Sequence, residues 1–197
     1  MIDALVAADV AVFRVLNAPW PGGDAVMWWV SLTRTWIPLL AVLVWKVWQW
    51  AGGQGRRFAG ALLAVAVCIG TTDAVSSRIL KPGVERLRPT HDPALVATVH
   101  AVVPPGGTTP YLGGQYGFVS SHAANTAGVA VLVGSWLGAA WLWPLLAVSL
   151  LIGYSRIYLG VHFPLDVLCG MGLGAATGAA ISYLHARIGA AQHGRRA

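Results

Sequence analysis

Charge is what this chain has least of. Only 10% of its 197 residues are charged, thirteen basic against seven acidic, while 56% are hydrophobic. A soluble domain carries about 25% charged residues. Too few polar side chains are present to cover a water-facing surface, which implies one integral membrane domain. The net charge of +6 is not gathered into a solvated basic run, which argues against a nucleic-acid partner. Cysteine is almost as scarce. Cys68 and Cys169 both lie in apolar runs and read as small buried side chains. Two such residues make neither a disulfide framework nor a zinc spacing. The opening "MIDALVAADVAVFRVLNAPW" has neither the basic start nor the clean apolar core of a cleavable signal.

What the chain does have is apolar length, with a mean hydropathy of +0.64 and ten tryptophans. Crossing a bilayer core takes about 20 mostly apolar residues per helix. Residues 2–17 fall short and carry Asp3, Asp9 and Arg14, so an amphipathic interfacial helix is expected there. "PWPGGD" breaks it, and residues 25–33 continue along the interface with Trp28 and Trp29 at headgroup level. Five spans are expected after that, at 35–50, 58–80, 120–138, 141–158 and 165–187. The expected fold is therefore an all-α membrane bundle: interfacial helices over 1–33, a transmembrane core over 34–187 and a cytoplasmic tail over 188–197. The third and fourth spans share almost no loop, which demands an antiparallel hairpin. Gly170, Gly174 and Gly178 form a small-residue spacing that lets backbones approach closely. Lys46, Arg56, Arg57, Arg187, Arg195 and Arg196 flank one set of helix ends and place them in the cytoplasm. Segments 81–119 and 158–164 then meet on the opposite face.

Those two segments, with the stretch that opens the third span, hold most of the remaining reactive side chains. "KPGVERLRP" supplies Lys81 and Arg88, "FVSSHAAN" supplies Ser120, Ser121 and His122, and "SRIYLGVHFPLD" supplies Arg156, His162 and Asp166. Guanidinium groups match phosphate oxygens with paired donors. Ser120 and Ser121 stand where a helix begins, and its free N–H groups favour an anion. Pro164 suits the first turn of a helix, so His162 lies just outside it and Asp166 one turn along. From there the carboxylate can hold one imidazole nitrogen and leave the other free to attack. A nucleophile, an orienting base, a proton donor and a cationic cradle are the parts of a phosphoryl-transfer site.

The pattern K-x6-R-P, S-x-H and S-R-x5-H-x3-D resembles the signature of the type-2 phosphatidic acid phosphatase family. That family comprises membrane lipid-phosphate phosphatases, with relatives among soluble acid phosphatases and vanadium haloperoxidases. The matching region covers roughly residues 58–187. Lys81, Arg88 and Pro89 match the first motif, Ser120 and His122 the second, and Ser155, Arg156, His162 and Asp166 the third. The second motif usually reads Pro-Ser-Gly-His and here is Val119-Ser120-Ser121-His122. The resemblance implies attack by His162 to give a phosphohistidine, with Asp166 orienting it and His122 as proton donor. Lys81, Arg88, Ser120, Ser121 and Arg156 are then the phosphate ligands, with phosphate or vanadate as occupants, no cofactor and no metal. It further implies a multi-pass protein of a bacterial inner membrane, its site on the periplasmic or outer face, acting on a lipid substrate. An undecaprenyl diphosphate is the first expectation; phosphatidylglycerol phosphate, phosphatidic acid and lipid A phosphate are alternatives. A vanadate-dependent haloperoxidase and an inactive lipid-binding relative are the readings from other classes.

Other polar residues have plainer expected roles. Arg34 and Arg86 read as interface anchors, and His91 and His100 as solvated loop residues. Asp73 lies inside a span, where it is expected to pair with Arg78 or Ser77. Ser120 is also a natural helix N-cap.

Overall fold

The computed structural model describes residues 2–194, with side chains as far as Gly189. Arg195 and Arg196, placed in the tail by their charge, lie outside the described residues. The described chain is all helical. Helix α1 (Ile2–Leu16) is followed by α2 (Gly23–Ser31), a 3-10 turn at Thr33–Trp36, and α3 (Ile37–Trp50). Helix α4 (Gly55–Ala74) runs through a π-helical turn at Val75–Leu80 into the single turn α5 (Lys81–Val84). After a long loop come α6 (Ser121–Leu137), α7 (Ala139–Tyr158) and α8 (Pro164–Gly194).

Three of these helices are long and apolar enough to cross a membrane: Gly55–Val84, Ala139–Tyr158 and Pro164–Gly189. A fourth crossing exists if Gly23–Ser31 and Thr33–Trp50, which meet at 75°, count as one broken span. The five expected spans coincide with α3, the continuous α4–α5 stretch, α6, α7 and α8, two of which are short. Helix α6 has 17 residues, about 26 Å at helical rise, and α3 has 14, about 21 Å, against a bilayer core of about 30 Å. Large apolar side chains such as Trp45, Leu63, Trp143, Leu168 and Ile188 stand exposed on the outside of the bundle, as they must where the surrounding solvent is lipid. The chain is a multi-pass membrane protein. Cys68 is buried as expected, whereas Cys169 is exposed on α8.

Helix α6 is the axis of the bundle, and small residues put it there. Ala123, Ala124, Ala127 and Ala130 are all buried on it. A Cβ on Gly174 would collide with the carbonyl oxygen of Ala124 and reach within 2.8 Å of Gly128 N, and one on Gly170 would lie 2.6 Å from Ser120 O. Gly178 meets Gly128 in the same way. The spacing read from the sequence is therefore the α6–α8 contact, made backbone against backbone. Gly138 alone joins α6 to α7, with φ at 89° and ψ at 176°, a conformation that favours glycine. The hairpin has no other loop.

This packing sets the four ends that matter on one side of the molecule: the end of α5, the start of α6, the end of α7 and the start of α8. Helix α1 lies across them. Phe13 packs edge-on against Phe163 with centroids 5.3 Å apart. Asn17, also buried, donates to the carbonyls of Tyr158 (2.8 Å) and His100 (2.9 Å) and accepts from His100 N (2.8 Å). His100 is accordingly not a solvated bystander. Its ring meets Asp24 at 2.8 Å, and Asp24 also accepts from the Tyr158 hydroxyl at 2.9 Å, tying the outer loop to α2 and α7.

Replacing Gly174 by Ala should lower detergent-phase stability by about 1–3 kcal/mol, because the added methyl has no space between the helices. Gly172→Ala is the control, since a Cβ there meets nothing within 4 Å. Thermal unfolding of the purified pair should separate them, with a lower Tm for Gly174→Ala only; equal Tm values would refute the close-packing account.

Candidate active site

Backbone pairing joins the first motif to the loop before the second. Arg88 N donates to Gln115 O at 3.0 Å and Gly117 N to Arg86 O at 2.8 Å. The second and third motifs are joined the same way, Ser120 N donating to Asp166 O at 2.9 Å. All eight site residues expected from the sequence consequently gather at one end of the bundle.

Asp166 is fully buried, and its carboxylate is clamped on both oxygens. Oδ2 accepts from Phe163 N at 3.0 Å, which closes the first turn of α8, and Oδ1 accepts from Arg86 Nη1 at 2.8 Å. His162 Nδ1 lies 3.5 Å from Oδ2, longer than a hydrogen bond. It is the imidazole nitrogen enclosed by protein, next to the Gly117 backbone. Gly117 makes the approach possible, because a Cβ there would lie 2.8 Å from Asp166 Oδ2 and 3.6 Å from His162 Nδ1. Burial, and then the positive charges of Arg88, Arg156 and Lys81, hold the His162 pKa well below the usual imidazole value of 6.5. The ring is neutral at neutral pH, the form that can attack.

The cations are held by their stems and by neutral partners. Lys81 Nζ donates to Ser121 Oγ at 2.9 Å, and that hydroxyl also meets Ser76 Oγ at 2.8 Å. Ser121, where the family pattern usually has glycine, is thus the seat of the lysine. Arg88 is buried, its Nε donating to Tyr116 O at 3.1 Å. Arg156 is buried too, with Nη2 donating to the Tyr111 hydroxyl at 3.1 Å. No carboxylate pairs with Arg88 or Arg156 among the described residues, so their charge is available to an anion. Ser120 stands at the N-cap position of α6 but makes no side-chain cap. Its Oγ and Arg156 Nε are buried without partners. Such atoms are costly to leave unsatisfied, and an oxyanion is the kind of ligand that donors of this type stabilise. His122 is exposed in the first turn of α6 and lines an apolar cavity of about 450 Å³.

Arg86 and Asp9 belong to this site although their sequence context suggests otherwise. Arg86 is not an interface anchor. Its guanidinium forks between Asp166 and Asp9, with Nη2 donating to Asp9 Oδ2 at 2.6 Å, and lies 4.1 Å over the Phe163 ring. The other Asp9 oxygen accepts from Leu165 N at 2.9 Å. Arg34, by contrast, stacks 4.6 Å over Trp29, away from these residues. Asp73 is exposed into the cavity, with no hydrogen bond or ion pair to Arg78 or to the Ser77 hydroxyl. A guanidinium two residues before Arg88 was the available signal for Arg86; for Asp9 it was a carboxylate in the middle of a mostly apolar helix.

Fold and site together define a multi-pass helical membrane protein with a cluster of cationic and histidine side chains at one end of its bundle. The chain belongs to the PAP2 superfamily, whose family model matches residues 58–190. It is 32% identical over 192 residues to a lipid A 4'-phosphatase of Porphyromonas gingivalis, covering 94% of this chain and 77% of that protein. It is 36% identical over 124 residues to a decaprenylphosphoryl-5-phosphoribose phosphatase of Mycobacterium tuberculosis, covering 62% of this chain and 56% of that one. Among solved structures, the transmembrane phosphatidylglycerolphosphate phosphatase of Bacillus subtilis superposes with a TM-score of 0.68 at 23% identity, over 94% of this chain and 88% of that one. The fold is thereby shared.

Arg86→Lys should lower kcat at least tenfold with little change in KM, since one ammonium cannot bridge two carboxylates as a planar fork does. Steady-state phosphatase kinetics on folded protein checks this. A kcat within twofold of the parent would show that the Asp9–Arg86–Asp166 bridge does not position the site.

Proposed function

We propose that the protein is a membrane lipid phosphatase working through a phosphohistidine at His162, without a metal. The observation that carries the reading is the cradle: a buried, neutral His162 beside a clamped Asp166, ringed by Lys81, Arg88, Arg156 and an unpartnered Ser120 hydroxyl. In the first step His162 Nε2 bonds to phosphorus, the bond to the leaving oxygen breaks, and His122 gives that oxygen its proton. In the second step water attacks the phosphoryl group, loses its proton to His122, and the P–N bond breaks to release phosphate. Asp166 stabilises the charge that grows on His162 while it is bonded to phosphorus. The three cations and Ser120 hold the equatorial oxygens, whose charge is best stabilised by donors already in place.

The substrate is a lipid because the cavity beside His122 is walled by side chains such as Leu40, Leu43 and Leu145 and lies between helices that face the bilayer. The similarity to a lipid A 4'-phosphatase over most of both chains supports a large amphiphilic phosphate ester. The inner membrane is the compartment we assign. Lys46, Arg56, Arg57 and Arg187 gather at the bundle end opposite the cradle, and this bias of basic residues supports a periplasmic cradle.

Phosphate release from a panel of lipid phosphates in detergent tests the reading. Release should persist in excess EDTA, be blocked by vanadate, which mimics the pentacoordinate transition state, and vanish in His162→Ala. Loss of activity on chelation with recovery on adding magnesium would contradict the metal-free cradle. Parent-like turnover by His162→Ala would remove the nucleophile.

A further inference from the structure

The cavity beside His122 holds a carboxylate that the mechanism does not use. Asp73 lines it from α4, opposite Ser121, His122 and Asn125 on α6. No hydrogen bond or ion pair to its carboxylate is made among the described residues, although an ionisable group at this depth ordinarily finds a partner. Asn125 Oδ1 lies 2.6 Å from Thr72 Oγ1, a hydroxyl that also approaches the Cys68 and Ile69 carbonyls, and the Asn125 amide nitrogen makes no hydrogen bond among the described residues. An acceptor and a donor thus face the same space.

In-line displacement fixes what enters that space. Nucleophile and leaving oxygen stand on opposite sides of phosphorus. His162 is 1% exposed and does not line the cavity, whereas His122 does. The leaving group, protonated by His122, therefore runs into the cavity, and its first atoms pass Asp73 and Asn125 before the apolar walls begin. A carboxylate only accepts hydrogen bonds, an amide NH2 only donates them, and a hydroxyl does both. A second phosphate at the same place would meet the Asp73 charge head-on.

We propose that Asp73, with Asn125, selects phosphate monoesters whose leaving group carries a free hydroxyl next to the scissile oxygen, and disfavours lipid diphosphates. The inference rests on the lipid-phosphatase reading and narrows it, away from the diphosphate that the family resemblance first suggests. A pocket that hydrogen-bonds a substrate hydroxyl rejects analogues without it, and one charged hydrogen bond corresponds to about tenfold or more.

Three lipid probes separate the possibilities, the first two with matched diacyl tails. Phosphatidylglycerol phosphate keeps a free hydroxyl beside the scissile oxygen, phosphatidic acid has none, and undecaprenyl diphosphate leaves as a phosphate. The parent should show the highest kcat/KM on the first, by about tenfold over each of the others. In Asp73→Ala that preference should collapse to within about threefold, with the diphosphate gaining relative to the other two; Asp73→Asn, which keeps the acceptor and loses the charge, should fall between. Each preference is a ratio measured within one preparation, so incomplete folding of a variant cancels. A parent preference that survives in Asp73→Ala, or an equal loss on all three probes, overturns the inference and leaves the phosphatase reading standing, with Asp73 acting only on the neighbouring Lys81. A parent that releases phosphate from none of the three overturns both.

Discussion

The close approach of α6 and α8 is the constraint on which the rest of the molecule depends. Because Gly170, Gly174 and Gly178 present no side chain to α6, the two backbones come near enough for Ser120 N to donate to the carbonyl of Asp166 at 2.9 Å. That one bond joins the second motif to the third. In lipid, no hydrophobic force draws two apolar helices together, and association relies on packing and on hydrogen bonds between backbones. A bulkier residue on the seam would separate Ser120 from Asp166 and, with them, the cradle from its histidine.

From Asp166 the order spreads outward. Its carboxylate is held by Phe163 N and by Arg86, and Arg86 is held by Asp9 on α1. The membrane-surface helix is therefore more than an anchor. It supplies the second carboxylate that keeps a half-buried cation from being left with a single partner, and its Phe13 covers Phe163 beneath. A buried pair broken on one side leaves an uncompensated charge.

Much of this was legible in the sequence. Charged residues are so rare here that three short motifs stand out against the apolar background, and the glycine spacing announces a helix seam. What stayed hidden depends on three-dimensional neighbours. Arg86 and Arg34 look alike in sequence, yet one bridges two carboxylates and the other stacks on an indole. His100 gained its partner from α2, more than seventy residues away. Asp73 looked like a carboxylate in need of a local cation, but it faces a cavity that forms only once α3, α4, α6 and α7 assemble. What composition left open is helix length: α3 and α6, with 14 and 17 residues, are shorter than a bilayer core.

The central claim is that phosphorus is transferred to His162 and that His122 serves the oxygens on either side of that event. Quenched single-turnover labelling with a phosphorus-labelled aryl phosphate tests it most directly, because a good leaving group needs little help from His122. The account predicts an acid-labile, alkali-stable label that accumulates in His122→Ala, maps to the peptide bearing His162, and is absent from His162→Ala. A label on any other residue, or one that persists in His162→Ala, would contradict it.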